Sequence, residues 1–351
     1  MYSRGPLPLT LRHAPSLLPG NLSCTTFGDR GFRLAYVHKD ELVLVESKNG
    51  SGFERTVKLE LKNTQVFSAA FTGFGYSNRG RSSSSGGGPM GSSIGGGGAG
   101  PEYLVICSNL GAQLWSADGE RMEWFHQLTD LLEDLSDPTD LQHHFLRASC
   151  GLQSVTGLSC VALGSSVGTV YILNTAGDVL HRLSTQSSSA VSALAASGQF
   201  LFCANDNGDV LGYRVGSGFE TLLRCPGRGD ACTALCCRGG VAVAGFVTGH
   251  IRLYRADRGE MCIEVAAHAR SLSALALHPS APYFASVGED QYLRVWALPD
   301  FLTPSGSDLD LAHSSRLEHC LCTGVAWTPS DGRLLVTSYD SDDLAVFHPS
   351  S

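Results

Sequence analysis

Residues 268–296 read HARSLSALALHPSAPYFASVGEDQYLRVW, and four spaced polar residues in this stretch determine how the whole chain is interpreted. His268 precedes a first run of apolar residues, and Ser286 lies within the next such run. Asp290 follows in a turn, and Trp296 ends a third run. Short apolar runs separated by Pro, Gly and Asp are typical of neighbouring strands. The stretch therefore predicts part of a small antiparallel sheet.

The same order of residues resembles a WD repeat. In a complete repeat, a His, a Ser or Thr, an Asp and a Trp form one hydrogen-bonded chain inside a four-stranded blade. The resemblance gives this structural role to His268, Ser286, Asp290 and Trp296, which we call the tetrad. A blade has an open edge and two apolar faces, so it is stable when it stacks on similar blades in a closed ring. We therefore expect several more repeats.

Six further segments share the shape of the third strand of this repeat. They end at Val45, Trp115, Leu173, Tyr213, Tyr254 and Phe347. Three of the successive spacings, 40, 41 and 42 residues, match the period of about 40–45 residues for a propeller blade. The count predicts an all-β fold, a seven-bladed WD-repeat β-propeller that occupies residues 1–351 as a single domain.

Three insertions lengthen the remaining spacings, and we expect all three on the rim. Residues 77–100 are rich in Gly and Ser and predict a disordered loop, since they have little apolar surface to bury. Residues 128–144 form an acidic insertion compatible with a short helix that ends before Pro138. Residues 301–318 are interpreted as a linker between blades six and seven.

The last blade has only three predicted strands in the C-terminal sequence, GVAWTP, RLLVTSY and DLAVF. Its fourth strand must come from elsewhere. The segment Pro6–His13, PLPLTLRH, precedes the first strand of blade one, NLSCTTF, and is the expected donor. A fourth strand from the N-terminus would close the ring and remove its exposed edge.

Composition limits the compartment and the partners. The chain has no run of about 18 apolar residues and no apolar leader, which predicts a cytoplasmic protein without membrane insertion, with a vesicle or a cilium as alternative associations. Twelve cysteines fall within strand patterns and are interpreted as reduced, buried thiols. The net charge of −8 argues against nucleic-acid binding.

Several motifs suggest chemistry but do not have the context that the chemistry needs. The tetrad contains the residue types of a serine-hydrolase triad, but a buried network gives a substrate no access. Residues 164–168, GSSVG, match G-x-S-x-G, yet they lie in a predicted hairpin with no helix after it. The pairs at residues 143–144 and 320–322 do not have the spacing of a closed zinc site. We expect no catalytic residue, metal, cofactor or small-molecule substrate.

An enzymatic propeller would need inward-facing His, Asp or Glu side chains at the starts of its innermost strands. The strands interpreted as innermost, VTGLSC, VSALAA, CTALCC and LSALAL, are apolar or small. A propeller hydrolase is therefore a remote alternative.

Beyond the single repeat, the chain resembles the WD repeat-containing protein 54 family over nearly its whole length. The resemblance rests on residues 249–270, GHIRLYRADRGEMCIEVAAHAR, on residues 286–296, SVGEDQYLRVW, and on LEHC at 317–320. NLSC at 21–24 and GAQLW at 111–115 add to it. The resemblance implies a cytoplasmic propeller that works through protein interactions and has no assigned enzymatic activity. The insertion at 77–100 departs from the family pattern.

Two neighbouring blades do not have the tetrad. The corresponding positions are Ala244 and Thr248 in blade five, and Cys203 and Asn207 in blade four. We expect these blades to be held by apolar packing alone.

Propellers bind partners mostly where the turns between second and third strands converge around the channel. The residue before the tetrad Asp position projects there, and in blades four to seven it is Asp206, Val247, Glu289 and Asp340. The three carboxylates suggest a site for a basic side chain or peptide, with Phe246, Arg270 and Tyr339 as neighbouring contacts. The alternative is that they are ordinary solvated turn residues.

The favoured interpretation is a non-catalytic scaffold or adaptor that binds other proteins. A structural subunit of a ciliary, cytoskeletal or vesicle-associated assembly is the alternative.

Overall fold

Seven antiparallel sheets make up the described part of the computed structural model. That part comprises residues 2–5, 8–27, 31–49, 52–53, 55–60, 64–72, 102–132, 143–153, 157–299 and 309–350. Each sheet is one blade, so the predicted all-β, seven-bladed propeller is confirmed.

The strands follow one another as four-stranded meanders after two short N-terminal strands, β1 (Tyr2–Arg4) and β2 (Leu9–Thr10). Blade one contains β3 (Ser23–Phe27), β4 (Gly31–His38), β5 (Glu41–Ser47) and β6 (Arg55–Glu60). Blade two contains β7 (Val66–Thr72), β8 (Tyr103–Ser108), β9 (Gly111–Ser116) and β10 (Met122–Gln127), followed by the one-turn helix α1 (Leu128–Leu131). Blade three contains β11 (Leu146–Gln153), β12 (Ser159–Ser165), β13 (Thr169–Asn174) and β14 (Val179–Ser184).

The remaining blades repeat this order. Blade four contains β15 (Val191–Ser197), β16 (Phe200–Asn205), β17 (Val210–Arg214) and β18 (Glu220–Cys225). Blade five contains β19 (Cys232–Arg238), β20 (Val241–Phe246), β21 (His250–Arg255) and β22 (Glu260–Ala266). Blade six contains β23 (Leu272–Leu277), β24 (Tyr283–Gly288), β25 (Tyr292–Ala297) and β26 (Leu311–Arg316). Blade seven contains β27 (Leu321–Trp327), β28 (Leu334–Tyr339) and β29 (Asp343–Pro349).

The blades form a closed ring with the core between neighbouring sheets. The first strand of each blade contacts the first strand of the next, from β3 round to β27 and back to β3. Alternating strands bury one face against each neighbouring sheet, so that Leu42 and Leu44 of blade one pack with Leu104 and Ile106 of blade two. The third strands supply the seven apolar or aromatic ends from which the blades were counted.

The N-terminus closes blade seven, as predicted. Tyr2 pairs with Pro349 and Arg4 with Phe347, so β1 lies beside β29. Farther along β29, Leu9 pairs with Leu344 through β2. The paired residues differ from the predicted continuous donor at 6–13, because that segment contains two prolines, which have no N–H for a strand ladder.

Two boundary predictions were wrong. Residues 311–316, predicted as linker, form β26, the outer strand of blade six. The innermost strand of blade three is β11 and not VTGLSC, because residues 159–160 of that run already belong to the second strand, β12. The predicted loop at 77–100 lies outside the described residues. In the acidic insertion α1 is followed by residues 133–142, which also lie outside them.

The meander gives the ring two different ends. Turns between second and third strands share one end with the connections from each outer strand to the next blade, and we call this the top end. The turns between first and second strands and between third and fourth strands lie at the bottom end. In the described part of the chain, no helix is long and apolar enough to cross a membrane.

Candidate functional site

The tetrad residues form one continuous hydrogen-bonded chain inside blade six. The Trp296 indole donates to Ser286 Oγ at 2.9 Å, and Ser286 Oγ lies 2.8 Å from His268 Nε2. The other ring nitrogen, Nδ1, lies 2.8 Å from Asp290 Oδ1. Donation from Nδ1 to the carboxylate leaves Nε2 to accept from the serine hydroxyl, so every group is satisfied. Ser286 is 0% exposed, so this hydroxyl cannot reach a substrate.

Asp290 is held as a carboxylate by its surroundings. Burial opposes its ionisation, but hydrogen bonds from His268, from the Ala269 backbone N–H at 3.1 Å and from Arg294 at 3.0 Å outweigh this effect. The pKa of Asp290 is therefore well below its ordinary value. The tetrad orients the turn after β24 and binds it to the connection before β23.

Blade five has a buried charge network where blade six has the tetrad. The Arg252 side chain, 6% exposed, bonds Asp230 Oδ2 at 2.8 Å and Glu264 Oε1 at 2.7 Å. Its guanidinium lies 4.1 Å from the centroid of the Phe246 ring. The expectation that this blade relies on apolar packing alone was wrong.

Polar contacts also replace the tetrad in other blades. In blade four the buried Asn205 donates to Asp209 Oδ2 at 2.7 Å, and Asp209 Oδ1 accepts from the Gly227 backbone N–H at 2.7 Å. In blade one Arg33 bonds Glu46 Oε1 through Nε at 2.8 Å and Nη2 at 2.6 Å, with both side chains buried. The apolar-only expectation for blade four was therefore also wrong.

The predicted partner-binding residues lie in different environments. Glu289 and Asp340 occupy top-end turns of blades six and seven, and Tyr339, 48% exposed, precedes Asp340. Arg270 is exposed on the connection between blades five and six. Phe246 is 0% exposed because it packs in the apolar core between blades four and five, with Arg252 over its ring, so its prediction as a surface contact was wrong.

Asp206 is part of an ion pair that sequence reasoning missed. Arg147, on β11 of blade three, donates to Asp206 Oδ1 on the top-end turn of blade four. The guanidinium lies 6.0 Å from the centroid of the Phe145 ring, which packs on Phe67 with centroids 4.6 Å apart. Arg147 was not predicted because the run VTGLSC, and not the run before it, was interpreted as the first strand of blade three. The run FLRASCGLQ after the acidic insertion was the available signal.

The pair stands at the edge of a cavity of 550 Å³ at the top end of the central channel. Asp206 and Val247 line this cavity, whereas Glu289 and Asp340 are not among the described residues that line it. A smaller cavity of 280 Å³ lies farther down the channel, lined partly by Cys150 and Cys236. Burial raises the pKa of both thiols to about 12, so they are protonated at neutral pH.

The residues weighed as metal ligands do not assemble into a site in the described part of the chain. His144 Nδ1 lies 3.1 Å from Ser166 Oγ, a contact between an inner-strand connection and a top-end turn. Within the described ranges no group of three or more His, Cys, Asp or Glu residues is arranged to hold a metal ion.

Comparison with known proteins identifies related chains. The family model WDR54 matches residues 64–349. WD repeat-containing protein 54 of Mus musculus is 28% identical over 254 residues, covering 70% of this chain and 74% of that protein. The Homo sapiens protein of the same name is 27% identical over the same shares. Among solved structures, the computationally designed Ika8 protein superposes with a TM-score of 0.59 at 13% identity, covering 98% of this chain and 100% of that one. This last likeness concerns the fold alone.

Proposed function

Because this chain belongs to the WDR54 family, we propose that it is a non-catalytic scaffold or adaptor that binds other proteins through the turns at its top end. WD-repeat propellers as a class mediate protein interactions. To this general role the proposal adds two points: partners bind at the top end, and the partner segment that binds there is basic.

The charge of the top-end turns carries this proposal. The seven turns between second and third strands contain seven carboxylates and one lysine. Two of the carboxylates, Asp209 and Asp290, are committed to contacts inside their blades. The others lie on top-end turns at residues 40, 206, 289, 340 and 342, and we call them the acidic rim. An acidic rim attracts a basic partner segment and repels acidic ones.

Blades six and seven have carboxylates on these turns that are not engaged in ion pairs with other described residues. Neither Glu289 nor Asp340 has an ion-pair partner among the residues that the structure describes, whereas Asp206 is already paired with Arg147. Tyr339 adds an exposed aromatic ring next to Asp340. Aromatic residues beside available charges are typical of binding hot spots.

Charge reversal tests the proposal directly. We expect Glu289→Arg with Asp340→Arg to lose most proximity-labelled partners while circular dichroism stays unchanged. The melting temperature should fall only slightly, because Asp340 is exposed and Glu289 is half-buried, and because Arg is less favoured than Asp at the positive φ of residue 340. The matched control is Asp257→Arg with Glu260→Arg, two exposed carboxylates at the bottom end. Equal partner lists for the wild type and the top-end variant would contradict the proposal.

The cytoplasm is the proposed compartment. All twelve cysteines are free thiols, many of them buried in the blades, which suits a reducing environment.

A further inference from the structure

The 550 Å³ cavity has an uncharged wall and a charged pair at its edge. It is bounded mainly by the inner strands β7, β11, β15 and β19 and by top-end turns. Most of the lining is alanine, leucine, serine and other small or apolar residues. Arg147 and Asp206 are the charged side chains among the described residues that line it. A cavity of this size and polarity is within the range of ligand-binding sites, about 300–1,000 Å³.

Asp206 is held in place and keeps one acceptor available. Its Oδ1 accepts from Arg147, and its backbone N–H donates to the Ala190 carbonyl at 3.0 Å. Oδ2 has no hydrogen-bond partner within the described ranges, and 40% of the side chain is exposed. The Phe145 ring beside the guanidinium restricts Arg147 in turn. The carboxylate is therefore preorganised to accept a second donor.

We propose that this cavity binds a short peptide segment of a partner protein, in which a basic side chain binds Asp206 and an adjacent apolar side chain enters the channel. This inference rests on the proposed function and names the chemistry of its partner. A basic residue fits because Asp206 has a carboxylate oxygen available to accept a hydrogen bond. An acidic residue would be repelled by the same carboxylate before it could reach Arg147. An apolar neighbour fits the small, uncharged wall.

Selection from a phage-displayed library of random 12-residue peptides against the full chain tests the proposal. We expect the enriched peptides to contain Arg or Lys within two positions of a large apolar residue. Asp206→Asn should weaken the best peptide at least about tenfold, because it removes the charge and keeps the shape. Val247→Lys should weaken it as well, since this exposed mouth residue would place a positive charge near Asp206.

Asp257→Asn is the matched control, since Asp257 is likewise ion-paired with an arginine but lies at the bottom end. It should leave the affinity unchanged. The proposal is overturned by enrichment of acidic peptides, by a failure to enrich any motif, or by equal binding to the wild type, Asp206→Asn and Val247→Lys proteins.

The outcome separates this inference from the broader proposal. If cellular partners are lost on reversal at residues 289 and 340 but Asp206→Asn changes no peptide binding, the top end is the interaction face and the cavity is not the peptide site. If peptides depend on Asp206 but cellular partners survive the double reversal, the cavity binds peptides and the assignment of the rim is wrong.

Discussion

Arg252→Met is expected to lower the free energy of unfolding by about 3–5 kcal/mol, because it leaves the buried carboxylate of Asp230 without its cationic partner. Burial opposes ionisation of Asp230, yet the hydrogen bond and charge of Arg252 outweigh it and hold the pKa of Asp230 below its ordinary value. Methionine keeps most of the side-chain volume over Phe246, so the loss reports the charge network and not a cavity. The measurement is the midpoint of urea unfolding, followed by circular dichroism.

Arg228→Met is the matched control for this network. Arg228 also bonds Glu264, at 3.2 Å, but its side chain is 61% exposed. Exposed ion pairs contribute about 0–1 kcal/mol, so this variant should unfold close to the wild type. A loss for Arg252→Met no larger than that for Arg228→Met would show that blade five does not depend on the network.

Removal of residues 1–10 is expected to lower the free energy of unfolding by about 1.5–3 kcal/mol and to open blade seven at its outer edge. The deletion takes away β1 and β2, together with Tyr2, whose ring packs on Trp327 with centroids 5.3 Å apart. Tyr2 and Leu9 are only partly buried, so the loss of their burial contributes about 0.75–1.5 kcal/mol each, half of the value for a fully buried side chain. Hydrogen–deuterium exchange should show faster exchange in residues 343–349 than in the full chain.

A synthetic peptide of residues 1–10 supplies the control for the deletion. Since an added strand can pair with an exposed sheet edge, the peptide should restore slow exchange in β29. Unchanged exchange and an unchanged unfolding midpoint after deletion would mean that the N-terminal strands do not secure the ring.

The ring of blades could be predicted because its signal recurs in every repeat. Third strands end at residues such as Tyr213, Tyr254 and Trp296 at near-constant spacing. The one complete tetrad identifies these strands as parts of WD repeats. The three strands of the last blade required a donor, and the N-terminus was the available segment. These features depend on local patterns and on the rule that sheet edges must be covered.

Element boundaries were harder because single runs are ambiguous. LRASCGLQ has only two residues of strong apolar character in its buried positions, Leu146 and Leu152, so the more hydrophobic run after it was taken as innermost. Leu311–Arg316 was interpreted as linker because it is mostly polar, and on this outer strand four of the six residues are exposed and none is buried. The outer and inner strands of a blade do not show the strict alternation of apolar and polar residues that identifies a half-buried strand.

The polar networks could not be predicted from one blade at a time. Arg252 finds Asp230 on the connection before β19 and Glu264 on β22, partners separated from it by 22 and 12 residues. Its position two residues before the aromatic end of the strand, which Arg294 also occupies, was the signal present in the sequence. Arg147 and Asp206 belong to different blades, so only the ring brings them together.

Site-specific photo-crosslinking tests most directly whether partners bind the top end. p-Benzoylphenylalanine would replace Val247, 41% exposed at the top-end mouth, or Tyr283, 37% exposed at the bottom end. Their similar exposure makes the two positions comparable probes of opposite faces. If partners bind the top end, position 247 gives discrete partner adducts and position 283 gives background labelling. Adducts from position 283 with none from position 247 would contradict binding at the top end.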